Sequence, residues 1–141
     1  MSVICADIDH FKRVNDTFGH SVGDAVLVAI ASTLMQNIRG SDVACRLGGE
    51  EFTIVMPGAS LQAAHARAEQ IREAVAQSDI ERNGKHVGSI TLSLGVSVFP
   101  DDGRDAESLL RAADQALYHA KRTGRNRTAT MSELPAGSPL R

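Results

Sequence analysis

The stretch DVACRLGGEEFTIVM, Asp42 to Met56, decides the fold. It holds two strand-like runs, Asp42 to Leu47 and Phe52 to Met56, parted only by Gly48-Gly49-Glu50-Glu51. A parallel connection needs a crossover of a dozen or more residues, so a gap this short predicts an antiparallel hairpin. Pro57 and Gly58 close the second run. An all-parallel sheet is therefore excluded.

Upstream, Val3 to Asp9 (VICADID) begins apolar and β-branched and turns acidic. It reads as a short buried strand with carboxylates at its C-terminal end. Phe11 to Phe18 is expected to form a short helix stopped at Gly19. From about Val22, the positions Val26, Ile30, Leu34 and Ile38 recur at helical spacing until Gly40. Downstream, Leu61, Ala64, Ala68, Ile71 and Val75 mark another amphipathic helix, with Ser60 as its N-cap. Asn83-Gly84 signals a tight turn between two weak strands. Ser89 to Phe99 alternates polar and apolar residues, the pattern of a half-buried strand. Asp105 then caps a helix carrying Leu109, Leu110, Ala113, Leu117 and Ala120, which Gly124 ends. The tail from Ser132 to Arg141 is rich in Ser, Pro and Gly and is expected to be flexible.

The order is β-α-α-β-β-α-β-α, with a small hairpin before the last main strand. The fold class is α/β (α+β): a mixed sheet flanked by helices.

The 141 residues suffice for one domain and one core. Fifteen basic and 17 acidic residues leave a net charge of −2. That balance argues against a general nucleic-acid or membrane-surface binder. Cys5 and Cys45 lie in apolar runs without a CxxC partner and read as core thiols of a reducing compartment. No apolar run approaches the roughly 20 residues of a membrane span. No signal pattern opens the chain, which predicts a cytoplasmic domain.

Asp7 and Asp9 are two apart, so a regular strand places both on one face. Glu50 and Glu51 sit in a turn whose glycines free the backbone to approach a ligand. Carboxylates from two neighbouring strand ends suit Mg²⁺, which takes oxygen ligands and keeps waters and substrate phosphates. Solvated acidic turns are the bland alternative, and spacing alone favours neither aspartate.

Three segments together resemble one family. Arg46-Leu47-Gly48-Gly49-Glu50-Glu51-Phe52 is similar to the GGDEF signature in its GGEEF form. Asp7 to Asp16 (DIDHFKRVND), with Gly19-His20 and Gly23-Asp24, resembles that family's other core motif. Tyr118 to Asn126 (YHAKRTGRN) resembles its C-terminal motif. The resemblance spans about positions 3 to 130.

It implies a diguanylate cyclase, which condenses two GTP into cyclic di-GMP and releases two pyrophosphates. It also implies a mostly antiparallel five-stranded sheet of the nucleotide-cyclase and polymerase-palm type. By similarity, Asp7, the Ile8 carbonyl and Glu50 hold Mg²⁺ (Mn²⁺ is the alternative). Glu51 shares that duty, and Asp9 becomes structural. Glu50 is the implied proton acceptor for the attacking 3′-hydroxyl. Asn15 and Asp24 are the implied guanine readers, with His20 bordering the nucleotide. Backbone N–H groups of His10, Phe11 and Lys12 face the phosphates, and Gly48 and Gly49 let the hairpin come close. Lys121 and Arg125, four apart and so on one helix face unless Gly124 ends the helix between them, are implied on the terminal phosphates. Without the resemblance, Asn15 is a turn former, Asp24 a helix-start carboxylate, and Lys121 and Arg125 solvated helix-end charges.

Arg39-Gly40-Ser41-Asp42, with five residues between Asp42 and Gly48, resembles the family's RxxD inhibitory site for cyclic di-GMP. The resemblance further implies that a homodimer is the active unit, because each domain holds one GTP. Family members carry about a helix more before the first strand, so the domain, 1–131, is expected to be truncated at its N-terminus. An upstream sensor or regulatory segment is expected as partner, and the parent protein as a candidate for membrane anchoring. Weak dimerisation and weak activity are expected of the domain by itself. Two readings compete: a module that binds GTP or cyclic di-GMP without turnover, and a docking domain. Intact motif residues count against the first, and the acidic constellation against the second.

Overall fold

The computed structural model describes residues 1–82 and 84–135. Its elements run β1 (Ser2–Ile8), α1 (Phe11–Phe18), α2 (His20–Gln36), β2 (Val43–Gly48), β3 (Glu51–Met56), α3 (Leu61–Ala76), β4 (Ile80–Arg82), β5 (Lys85–Gly88), β6 (Leu92–Val98), α4 (Ala106–Arg122) and β7 (Arg127–Thr130), then a 3-10 turn (Met131–Glu133). The main sheet has five strands in the order β2-β3-β1-β6-β7. Every pairing is antiparallel except β6–β7, which is parallel with α4 as its crossover. The central hairpin and the mixed sheet are as expected. β4 and β5 pair as a separate two-stranded ribbon; Asn83 of the expected turn lies outside the described residues.

β1 lies mid-sheet, which explains why all seven of its residues are buried. Its side chains alternate between two layers. Ile4, Ala6 and Ile8 enter the main core under α1, α2 and α3, while Val3 and Cys5 pack on Leu109, Ala113 and Leu117 of α4. Helices thus cover both faces. At about 25 cal/mol per Å² of apolar area, such two-sided burial makes β1 the stiffest available mount for functional side chains.

Cys5 is buried as expected, but Cys45, read as a core thiol, is exposed because β2 is the sheet's edge strand. Four further expectations are revised. The alternation in β6 does not mark a wet face: all seven residues are buried. Its small polar positions face α4 instead of water. Ser97 Oγ donates to the Leu109 carbonyl at 2.8 Å. A Cβ at Gly95 would stand 2.2 Å from the Ala113 oxygen, so only glycine lets α4 close on the strand. Second, α2 begins at His20 and ends at Gln36, before Gly40. Asn37 stops it by donating its side-chain amide to the Thr33 carbonyl at 2.7 Å, which leaves 39–42 as a turn. Third, β7 was not anticipated. Its four residues, RTAT, contain no apolar run, and pairing with β6 decides their conformation.

Fourth, the close-packed chain continues past Met131. Leu134 packs on the small cluster of Ala116, Ala120 and Ala129. Residues 136–141 of the expected tail lie outside the described residues. Ser60 and Asp105 cap their helices as expected, accepting from Ala63 N at 3.1 Å and Ser108 N at 2.7 Å.

Candidate functional site

Asp7 is the penultimate residue of the central strand and faces α4. Across the β1–β3 pairing it stands opposite Glu51. The next residue, Ile8, donates its N–H to the Glu50 carbonyl at 3.3 Å. The hairpin tip is therefore tied by its backbone to the end of β1. Gly48 and Gly49 make this turn with φ of +148° and +52°, values that suit glycine. A register shift between Arg46 and Gly48 leaves Leu47 as the extra residue.

Asp7 is 4% exposed. Burial pushes its carboxyl above the ordinary carboxylate range, and the charges of Glu50 and Glu51 push the same way. A hydrogen bond and the positive charge from Lys121 oppose that rise. Lys121 Nζ of α4 donates directly to Asp7 Oδ2. So here Lys121 neutralises the strand-end carboxylate.

Lys121 and Arg125 do not share a helix face, which corrects the spacing argument. α4 stops at Arg122. Beyond it, Gly124, Arg125 and Asn126 all have positive φ, at +132°, +62° and +45°. Arg125 therefore projects from a tight loop.

Asp9 resolves the other ambiguity of spacing. It lies just past β1, 5% exposed. Its Oδ1 accepts from Ser93 Oγ at 2.7 Å, and its Oδ2 from Thr91 Oγ1 at 2.7 Å and Asn126 N at 3.0 Å. These bonds bind it to β6 and the Arg125 loop. Asp7 alone of the pair faces the hairpin.

α1 opens right after Asp9, with His10 at φ +56° as its N-cap. The His10 carbonyl accepts from Arg13 N and Val14 N, and the N–H groups of Phe11 and Lys12 precede them at the helix start. Asn15 lies on α1 and Asp24 on α2. A Cβ at Gly23 would fall 1.8 Å from Asn15 Oδ1, so the glycine in the first turn of α2 makes room for the Asn15 amide. His20 opens α2 and is exposed. Asp24 borders a cleft of about 390 Å³ between α2 and the hairpin, walled by Leu27, Leu34, Arg46 and Phe52.

The donor chemistry fits a hard divalent cation. Asp7 stands opposite Glu51 at a strand end and feels the charges of both Glu50 and Glu51, and Mg²⁺ takes one or two carboxylates and fills its other positions with water and phosphate. Among the described residues, no three His, Cys, Asp or Glu side chains form a ready-made cage.

Residues 1–127 match the family model described as "Diguanylate cyclase, GGDEF domain". The chain belongs to this family. It is 43% identical over 136 residues to Diguanylate cyclase A of Treponema denticola, covering 96% of this chain and 36% of that protein. It is 44% identical over 127 residues to the response regulator PleD of Caulobacter vibrioides, covering 89% and 28%. The chain thus spans about a third of these relatives. Among solved structures, it resembles the GGDEF domain of DgcB from Caulobacter crescentus in complex with c-di-GMP. That match has a TM-score of 0.87 and 35% identity, covering 94% of this chain and 78% of that one. The active GGEEF domain of a diguanylate cyclase from Vibrio cholerae gives 0.83 and 41%, covering 92% and 81%.

Within this GGDEF domain, the RxxD segment is a self-bonded turn at the end of the hairpin strands away from the Gly48–Glu51 tip. Arg39 N donates to Asp42 Oδ2 at 2.9 Å, and Asp42 N to the Arg39 carbonyl at 3.0 Å. Arg39 is exposed beside a cleft of about 230 Å³ that Ser60 and Arg67 also line. Sequence reasoning missed the Asp7–Lys121 pair and the part played by Asn126. For Asn126, no spacing rule reports a left-handed residue after a helix. Gly23 carried a usable signal, since a glycine inside a helix implies close approach. Among the described residues, no helix is long and apolar enough to cross a membrane.

Proposed function

We propose that this GGDEF domain condenses two GTP into cyclic di-GMP, with release of two pyrophosphates. The observation that carries this reading is the buried Asp7, at the end of the central strand, facing the Glu50–Glu51 hairpin. The named cyclases among its relatives support it, and so does the presence of Asp7, Asn15, Asp24, Glu50, Lys121 and Arg125. A binding module without turnover is not favoured.

Asp24 and Asn15 read guanine. A carboxylate accepts from both N1–H and the exocyclic amine, a donor pair that adenine lacks, and such a contact discriminates by roughly 1–3 kcal/mol. His20 borders the base. The N–H groups of His10, Phe11 and Lys12 at the α1 start receive the phosphates, and Gly48 and Gly49 keep side chains out of their way. Lys121 and Arg125 hold the terminal phosphates. Asp7, the Ile8 carbonyl, Glu50 and Glu51 would hold Mg²⁺, or Mn²⁺ in its place, which supplies charge neutralisation on the phosphates. Glu50 accepts the proton of the 3′-hydroxyl as that oxygen bonds to the α-phosphorus of the second GTP. Pyrophosphate leaves from the opposite side. Repeating the step closes the ring.

One domain presents one GTP, so two domains must meet face to face, and a homodimer is the catalytic unit. A sensor or regulatory segment of a longer protein would bring them together. Arg39 and Asp42 bind the product and repress turnover; if Arg39→Ala leaves product inhibition unchanged, that part is lost.

The deciding experiment is Glu50→Gln, assayed with GTP and Mg²⁺ for cyclic di-GMP and pyrophosphate. Turnover is expected to vanish while guanine-nucleotide binding persists. Undiminished turnover would remove Glu50 from the mechanism.

A further inference from the structure

Arg125 and Asn126 hold φ of +62° and +45°, a backbone state that residues with a Cβ seldom adopt. Such a loop persists only if its surroundings fix it. Next door, Arg127 Nε donates to the Arg125 carbonyl at 3.1 Å, and three bonds reach the pair from elsewhere in the chain. Arg125 N donates to the Ala120 carbonyl at 3.0 Å, and Asn126 N to Asp9 Oδ2 at 3.0 Å. The third comes from a distant helix: Arg72 Nη1 of α3 donates to Asn126 Oδ1 at 2.9 Å.

Arg72 is itself held in a fork. Its Nε and Nη2 donate to the two Glu69 oxygens at 2.6 and 3.1 Å. Glu69 Oε2 also accepts from Thr128 Oγ1 of β7 at 2.9 Å. The Arg72 side chain is 18% exposed. An ordinary surface ion pair would leave the remaining guanidinium nitrogen in water. Here that nitrogen goes to the side chain of Asn126, one half of the left-handed pair. α3 supplies no residue read above as touching the nucleotide, yet it is pinned to the loop that presents Arg125.

We propose that Glu69 and Arg72 are positioning residues for nucleotide binding. Through Asn126 they hold the Arg125 loop so that its guanidinium meets the terminal phosphates of a guanine nucleotide. This rests on the reading of Arg125 as a phosphate contact. The pair therefore governs the preference for triphosphate over monophosphate and leaves recognition of guanine to Asn15 and Asp24.

The test compares binding of GMP with that of a GTP analogue bridged by methylene between its α- and β-phosphates, which cannot react. Calorimetric titrations use the full chain with Mg²⁺. Arg125→Ala reports the reading itself; Arg72→Ala and Asn126→Gly report the positioning. Asn126 is exposed and glycine accepts its φ, so that variant removes the acceptor while the core stays intact. Both positioning variants are expected to lower the triphosphate preference about fivefold, as for one lost charge-assisted contact, with GMP affinity unchanged. If Arg125→Ala erases the preference while Asn126→Gly retains it, or weakens both ligands equally, the positioning role is overturned and the phosphate reading stands. If Arg125→Ala retains the preference, that reading and the inference built on it both fall.

Discussion

At the scale of residues, the site is a set of groups held at a cost. Asp7 is the plainest case. Its carboxyl is pushed up by burial despite the Lys121 ammonium beside it. A raised acid means that the folded chain binds protons more readily than the unfolded one, so the ionised form opposes folding at neutral pH. Asp7→Asn keeps the shape and removes the charge. In metal-free buffer at pH 7 this variant is expected to unfold at a higher temperature than the parent, while making no cyclic di-GMP. A lower midpoint would mean that the ion pair outweighs the burial. Gly23→Ala tests the proposed guanine pocket in the same spirit. The new Cβ would displace the Asn15 amide, a flexible side-chain end, so guanine-nucleotide affinity is expected to drop at least tenfold, the scale of one lost base contact. The expected change in midpoint is small. Titration of GMP against both proteins checks it.

At the scale of elements, most of the architecture could be read from the sequence because local chemistry agreed with the fold. Gly48 to Glu51 specified a hairpin, Ser60 and Asp105 specified caps, and the helical stripes specified buried faces. What could not be read depended on partners distant in the chain. Ser93, Gly95 and Ser97 look like a wet strand face until α4 is known to lie on them. β7 has no pattern of its own. The pairing of Lys121 with Asp7 spans 114 residues and has no local trace. Likewise, the choice between Asp7 and Asp9 turned on Thr91, Ser93 and Asn126, which no spacing rule connects to β1. Gly95→Ala measures the closeness of β6 and α4. Its Cβ would meet backbone atoms that cannot step aside, so a loss of about 3 kcal/mol or more is expected in urea unfolding. A loss under about 1 kcal/mol, within the range of tolerated core swaps, would show that α4 shifts easily.

α3 offers a test by pH. The hydrogen bond from Arg72 holds the Glu69 carboxyl below its usual range, with help from Thr128 against partial desolvation. A depressed acid contributes stability that is whole above the unfolded value and is lost as pH falls through the folded one. Glu69→Gln should therefore destabilise most near neutrality. Its deficit should shrink as pH falls below about 4.3, the ordinary glutamate value. Thermal midpoints of both proteins across that window decide it, and a deficit independent of pH would contradict the ionic account.

At the scale of the whole molecule, the proposed function makes one domain half a machine. On that proposal the site has one guanine pocket, one phosphate cradle and one proton acceptor, whereas the product needs two of each. Encounter between domains then limits the rate, and a longer protein that held two together would raise their effective concentration. The central claim is tested most directly by incubating the chain with GTP and Mg²⁺ over a range of protein concentrations and quantifying cyclic di-GMP and pyrophosphate. The account predicts both products in a one-to-two ratio, at a rate per domain that rises with protein concentration. Pyrophosphate without cyclic di-GMP, or a rate per domain that stays flat from dilute to concentrated protein, would contradict it.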